Sequence, residues 1–272
     1  MTSKIVYCQP NVTAKEAAER AIAVLKDVEK LGGEHLYYCM QASNILALAG
    51  LRALSPYNEF HPEFPDSKVK EIDEVLMKFN CRILEQDDYG HRMKERDFSI
   101  MNIEVLKRSS ETYPMLKEAL SPPPAITWSL YRQWIVILWN FLAGQMDAKD
   151  GALPKEWLQN WWSPHDISFG MMLGYPGIAL EDGCERGIGN IDRNKDMDWA
   201  EVEINNNGIY DGADVSYVVH KNHLKDPQIV AHSKLWEDTL RLVYDEFTDE
   251  KLNSIEGFSS EHKRFSKFYR EN

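Results

Sequence analysis

Asp192, Asn194, Asp196 and Asp198 fall on alternate positions of "NIDRNKDMDWAEVEIN" (190–205), and Glu203 follows Asp192 eleven residues on. Hard cations such as Ca²⁺ or Mg²⁺ are held by oxygen ligands at short range. Side-chain oxygens at the first, third, fifth, seventh and twelfth positions of a wrapping loop can supply most of such a set. The sequence therefore nominates Asp192, Asn194, Asp196, Asp198 and Glu203 as ligands of Ca²⁺ or Mg²⁺. A solvated acidic turn, its aspartates and asparagine bonding the local backbone, accounts for the same residues without an ion.

Over those twelve residues the loop resembles that of the EF-hand family. Two features depart from the pattern: Met197 stands where the sharp turn calls for Gly, and "GCERGIG" precedes the loop where a helix should. The expectation is thus a single loop in another fold, not a helix-flanked pair.

His220, His223 and His232 form H-x2-H-x8-H, with Asp226 between them. Imidazoles with a carboxylate can hold zinc or another transition metal. Imidazole also moves protons near neutral pH. His165, His220 and His223 are accordingly the acid–base candidates of a metal-assisted hydrolase in which Asp192, Asp196 and Asp198 hold the ion. Histidines exposed in turns are the simpler alternative. In "WWSPHDISFGMMLGYPG" (161–177), His165 and Asp166 also admit a structural account. Ser163 caps a helix, Pro164 takes its first position, Asp166 completes the capping box and Gly174 ends the helix.

Six of the eight tryptophans fall within residues 128–162. Such rings stack on flat ligands or anchor a partner with little entropy loss, and they also fill cores. Trp157, Trp161 and Trp162 are the candidate ligand-binding residues. Cys184, in "EDGCERG", has Arg186 close by, but Glu181, Asp182 and Glu185 oppose a thiolate there.

The bulk properties narrow the field. A net charge of −12 disfavours a broad nucleic-acid surface, which needs clustered Lys and Arg. It suits a basic partner or cations. Cys8, Cys39, Cys81 and Cys184 are widely spaced with no C-x-x-C, which predicts reduced thiols in a cytoplasmic protein. "MTSKIVYCQPN" has no signal-peptide character. "QWIVILWNFLAGQM" (133–146) falls short of the ~20 residues of a membrane span and predicts a buried helix.

These residues must be positioned by a mainly α (α+β) fold: a multi-helix core with a small antiparallel hairpin near 199–220, joined by an N-terminal strand at 4–9. Thr13 and Glu16 form a capping box, and Gly32-Gly33 closes the helix that follows it. "HLYYCMQASNILALAGLRAL" (35–54), apolar nearly all round, reads as one buried helix. Residues 57–67 read as a loop, and a third helix carries Ile72, Val75, Leu76, Phe79 and Ile83 on one face. Charged helical turns are expected from His91 to Lys107. "SPPPA" (121–125) is the natural connection between a helical region 1–120 and an α+β region 126–272, unless the two share one core. Asp226-Pro227 starts a helix striped with Trp236, Leu240, Val243 and Phe247.

No complete catalytic constellation is evident in the sequence. The leading expectation is therefore a soluble binding or regulatory protein for a small molecule or protein, with a divalent-cation loop at 192–203. The alternatives are the metal-dependent hydrolase and a structural subunit that meets a basic partner.

Overall fold

The computed structural model describes residues 11–55, 58–60, 66–86, 96–105, 170, 173–180, 182, 198–204 and 215–258. It is a mainly helical α+β fold. The chain divides into two compact units interleaved in sequence. One comprises residues 1–9, 105–202 and 216–232; the other comprises 10–104, 203–215 and 233–272. The N-terminal strand expected at 4–9, the Pro-rich connection at 121–125 and the tryptophan-rich stretch lie outside the described residues.

In the second of these units, α1 (Ala14–Glu29) begins as its sequence dictates. The Thr13 hydroxyl accepts from the Glu16 amide at 3.2 Å while the Glu16 carboxylate accepts from the Thr13 amide at 2.8 Å. Two otherwise orphaned amides of the first turn are thereby satisfied. Ala17, Ala18, Ala21, Val24, Leu25 and Val28 form the buried stripe. Gly32, at φ +123°, turns the chain after α1 in a conformation that L side chains rarely adopt.

The single helix expected over 35–54 is two. Helix α2 (Gly33–Cys39) stops, Gln41 is extended, and α3 (Ala42–Leu48) starts afresh. The Asn44 side chain donates to the Tyr38 carbonyl at 2.6 Å, so the break leaves that buried acceptor satisfied. Apolar composition shows that the whole stretch is buried; it carries no mark of the change in backbone direction.

Residues 103–105 are helical as expected, but a three-stranded antiparallel sheet stands at 58–60 and 96–102, where a loop and helical turns were expected, and at 81–86. Its order is β1 (Asn58–Phe60), β3 (Arg96–Asn102), β2 (Cys81–Gln86). Helix α4 (Asp66–Met77) buries Ile72, Val75 and Leu76 but ends before Ile83, which belongs to β2. Asn80, at φ +56°, makes the reversal. Asp73 of α4 then grips the start of β2, accepting from the Ile83 amide at 2.8 Å and the Arg82 guanidinium at 2.8 and 3.0 Å. The strands form because Cys81 pairs with Asn102 and Ile83 with Ile100, contacts that no short window of sequence contains.

Among the described residues there follow a two-stranded antiparallel sheet of β4 (Trp199–Glu203) and β5 (Ser216–His220), a 3₁₀ turn at Lys221–His223, α5 (Pro227–Glu246) and α6 (Asp249–Ser254). The hairpin lies where its alternating pattern placed it, and α5 begins at Pro227 as expected. Trp236, Leu240 and Val243 on α5, and Phe247 just after it, are fully buried. No described helix is long and apolar enough to cross a membrane.

Candidate functional site

The residues of chemical interest gather where β5 passes into α5. Strand β5 alternates, with Tyr217 and Val219 buried and Ser216, Val218 and His220 half-buried. A single 3₁₀ turn over Lys221–His223 follows. His220 caps that turn, its Nδ1 accepting from the Asn222 amide at 3.2 Å. Asp226 then caps α5, accepting from the Gln228 amide at 2.8 Å, and Pro227 takes the first helical position. This local punctuation puts His220 and His223 on one tight corner.

The residue that organises the corner is Asp182, which sequence reasoning passed over. Its side chain is 2% exposed. One carboxylate oxygen accepts from the His220 amide at 2.8 Å, and both oxygens lie 2.9 Å from Nδ1 of His223. A buried carboxylate is costly unless its lone pairs are met, and here a main-chain N–H and an imidazole N–H meet them. Because a carboxylate can only accept, Nδ1 of His223 is the donor, and in the neutral ring Nε2 carries the lone pair. The His223 side chain is 34% exposed. Its Nε2 makes no hydrogen bond among the described residues.

The chain leading to Asp182 is held at two points. The Ile178 amide donates to the Gln228 side chain at 3.2 Å, tying the helical turn at 177–180 to the first turn of α5. Upstream, Gly174 stands at φ +79°, and the Tyr175 amide reaches back to the Gly170 carbonyl at 3.1 Å; the helix expected from Ser163 lies outside the described residues except for Gly170. The Gly174 carbonyl accepts from Nε2 of buried His232 at 2.8 Å. Tyr217 packs between the His232 ring, edge-on at 5.4 Å, and the Tyr175 ring at 5.6 Å.

The three histidines of the H-x2-H-x8-H pattern thus have three separate tasks. His232 is a buried strut. His220 commits Nδ1 to the cap, which leaves the proton on Nε2 and no lone pair there for a metal. His223 alone presents a basic nitrogen. The His220 and His223 rings lie 6.0 Å apart, and the Trp199 ring stands edge-on to His220 at 5.5 Å.

Of the expected cation ligands, Asp198 is exposed just before β4, and Glu203 is exposed at the far end of that strand. An extended backbone from 198 to 203 separates them by about 16 Å. An ion held by Asp198 would therefore draw its remaining ligands from residues other than Glu203. No group of three His, Cys, Asp or Glu side chains suited to a metal occurs among the described residues. Asp192, Asn194, Asp196, His165, Trp157, Trp161, Trp162 and Cys184 lie outside them.

No protein-family model, curated protein or solved structure matches this chain.

Proposed function

We propose that the chain is a hydrolase-type enzyme acting on a small molecule, with His223 as general base and Asp182 as the group that orients it. The observation that carries this reading is the Asp182–His223 pair: a buried carboxylate bonded to the inner nitrogen of a ring whose outer nitrogen is unspent among the described residues. A carboxylate in this position fixes the tautomer and stabilises the imidazolium that forms on proton transfer. A carboxylate serving only to brace the corner would be satisfied as well by two buried amides. Here its second donor is an imidazole one-third in solvent.

The base would take a proton from water or from a substrate hydroxyl brought to Nε2. The same nitrogen could serve as one ligand of a catalytic ion, its other ring nitrogen held by a carboxylate as metal-binding histidines require.

The reading is tested with chromogenic carboxylic esters, lactones and phosphoesters, in EDTA and with added Mg²⁺, Mn²⁺ or Zn²⁺. At least one class is turned over, and His223→Gln slows it by roughly 10²–10⁴-fold, the usual worth of a positioned base. Turnover that is equal in wild type and His223→Gln, or absent for every class, overturns the proposal.

A further inference from the structure

We propose that His220 is the electrophilic partner of His223, a neutral imidazole whose Nε2–H binds the oxygen on which negative charge develops, and that the substrate is a neutral acyl compound such as a carboxylic ester. This rests on the reading of His223 as the base.

Three observations support it. The Asn222 amide donates to Nδ1 of His220 at 3.2 Å, so that nitrogen is unprotonated and the ring is a neutral Nε2–H donor. The main-chain amide of His220 and the ring of His223 are bonded to the same Asp182 carboxylate, so one buried group sets the position of both. The two rings stand 6.0 Å apart at 60°, and Trp199 packs edge-on against His220, further restricting its ring. A fixed donor aimed at developing charge costs no reorganisation at the moment of reaction.

The charge of the corner selects the substrate. With both imidazoles neutral, Asp182 and Asp226 offset Lys221 and Lys225, so the corner has no net positive charge to draw a phosphate anion, and a neutral carbonyl requires none.

The step balances as hydrolysis. Water attacks the acyl carbon as His223 Nε2 takes one of its protons. The carbonyl π pair moves onto oxygen, which His220 Nε2–H stabilises. On collapse the bond to the leaving oxygen breaks, and that oxygen receives the proton held by His223. The products are a carboxylic acid and an alcohol, with both imidazoles restored.

The test uses para-nitrophenyl acetate and the variant His220→Asn, whose side-chain oxygen can still cap the 3₁₀ turn but offers no imidazole donor. The expected result is a kcat lowered by roughly 100-fold, as for loss of one oxyanion donor, with KM little changed and the melting temperature retained. An unchanged kcat in His220→Asn alongside a lost rate in His223→Gln overturns the role of His220 and leaves the base standing. An unchanged rate in both variants removes the base as well. Wild-type hydrolysis no faster than free imidazole overturns the acyl assignment. Nitrogen-15 NMR of the unmodified protein reads the tautomer directly: an Nε2–H ring supports the proposal, and an Nδ1–H ring overturns it.

Discussion

The carboxylate of Asp182 and Nδ1 of His223 lie 2.9 Å apart although 41 residues separate them in sequence, and the same carboxylate holds the His220 amide at 2.8 Å. The two partners are unequal in stability terms. Asp182 is buried, so Asp182→Ala strands a main-chain donor and an imidazole donor together, at an expected cost of about 2–3 kcal/mol. His223 is partly solvated, and His223→Gln, which keeps a donor within reach, should cost under about 1 kcal/mol. Urea unfolding of the two variants checks the order. Equal midpoints would mean that the carboxylate is not holding the corner.

The second expectation concerns the close approach at Gly33. A Cβ there would stand 2.2 Å from the Phe258 amide nitrogen and 2.6 Å from its Cα. Those are backbone atoms, which no rotamer change can clear. The Gly33 amide also donates to the Glu256 carbonyl at 2.9 Å. Gly33→Ala should therefore push the 256–258 turn off the start of α2, costing about 1–3 kcal/mol. Limited proteolysis near residue 257 and a lower melting temperature are the expected signs. A fully stable Gly33→Ala protein would mean that the turn packs elsewhere.

How much of this was legible follows from the range of each interaction. Thr13 with Glu16, and Asp226 with Pro227, act within a few residues, so their helix starts could be read directly. The stripe from Trp236 to Phe247 repeats at helical period and is buried as read. Ile83 misled because it continues the spacing of α4, yet Asn80 reverses the chain before it. The strands at 81–86 and 96–102 exist through pairing with each other, and their polar residues hid them. Asp182 carried no local signal at all. Its partners lie 38 and 41 residues away, and only the fold makes it the centre of the corner. His220 and His223 were visible as candidates, but their different tasks depend on which nitrogen each one spends.

Trp236 and Arg52 supply a third expectation. Both side chains are 1% exposed, and the Arg52 guanidinium lies 4.7 Å from the Trp236 ring centroid. The ring fills core volume and faces a cation that is expensive to bury. Trp236→Ala should cost about 3–5 kcal/mol by cavity formation. Trp236→Phe keeps an aromatic face and should recover more than half of that. Denaturation midpoints decide; equal losses in the two variants would show that the stacked face contributes nothing beyond volume.

The thiols of Cys39 and Cys81 should be inert in the native protein. Burial pushes both up to about 12, with the neighbouring Cys81 adding to the effect on Cys39 and Glu104 to that on Cys81. The thiolate is the reactive form, so a disulfide reagent at pH 8 should leave both unmodified until the chain unfolds. The sign for stability is also fixed. A thiol pKa raised on folding favours the native state fully below the ordinary thiol range. That advantage fades as pH rises through it toward the folded value. Mass spectrometry of labelled peptides, before and after urea, identifies the two sites. Rapid native labelling of Cys39 would show that this core opens readily.

At the opposite end of the pH scale, Glu16 reports on the start of α1. Its bond from the Thr13 amide, and then that with the Thr13 side chain, hold its carboxyl below the usual glutamate range. A carboxyl depressed on folding favours the native state above its unfolded pKa. The contribution is lost as pH falls through the lower folded value. Acid should therefore fray the first turn of α1 before the apolar stripe from Ala17 to Val28 lets go. Amide hydrogen exchange of residues 13–17, followed from pH 6 down to pH 3 and corrected for the intrinsic rate, should show falling protection in the wild type. Glu16→Gln keeps an acceptor but has no carboxyl to titrate, so its protection there should be nearly independent of pH. The same acid-dependent loss in both proteins would assign the fraying to other carboxylates, and the capping box would then play no part in it.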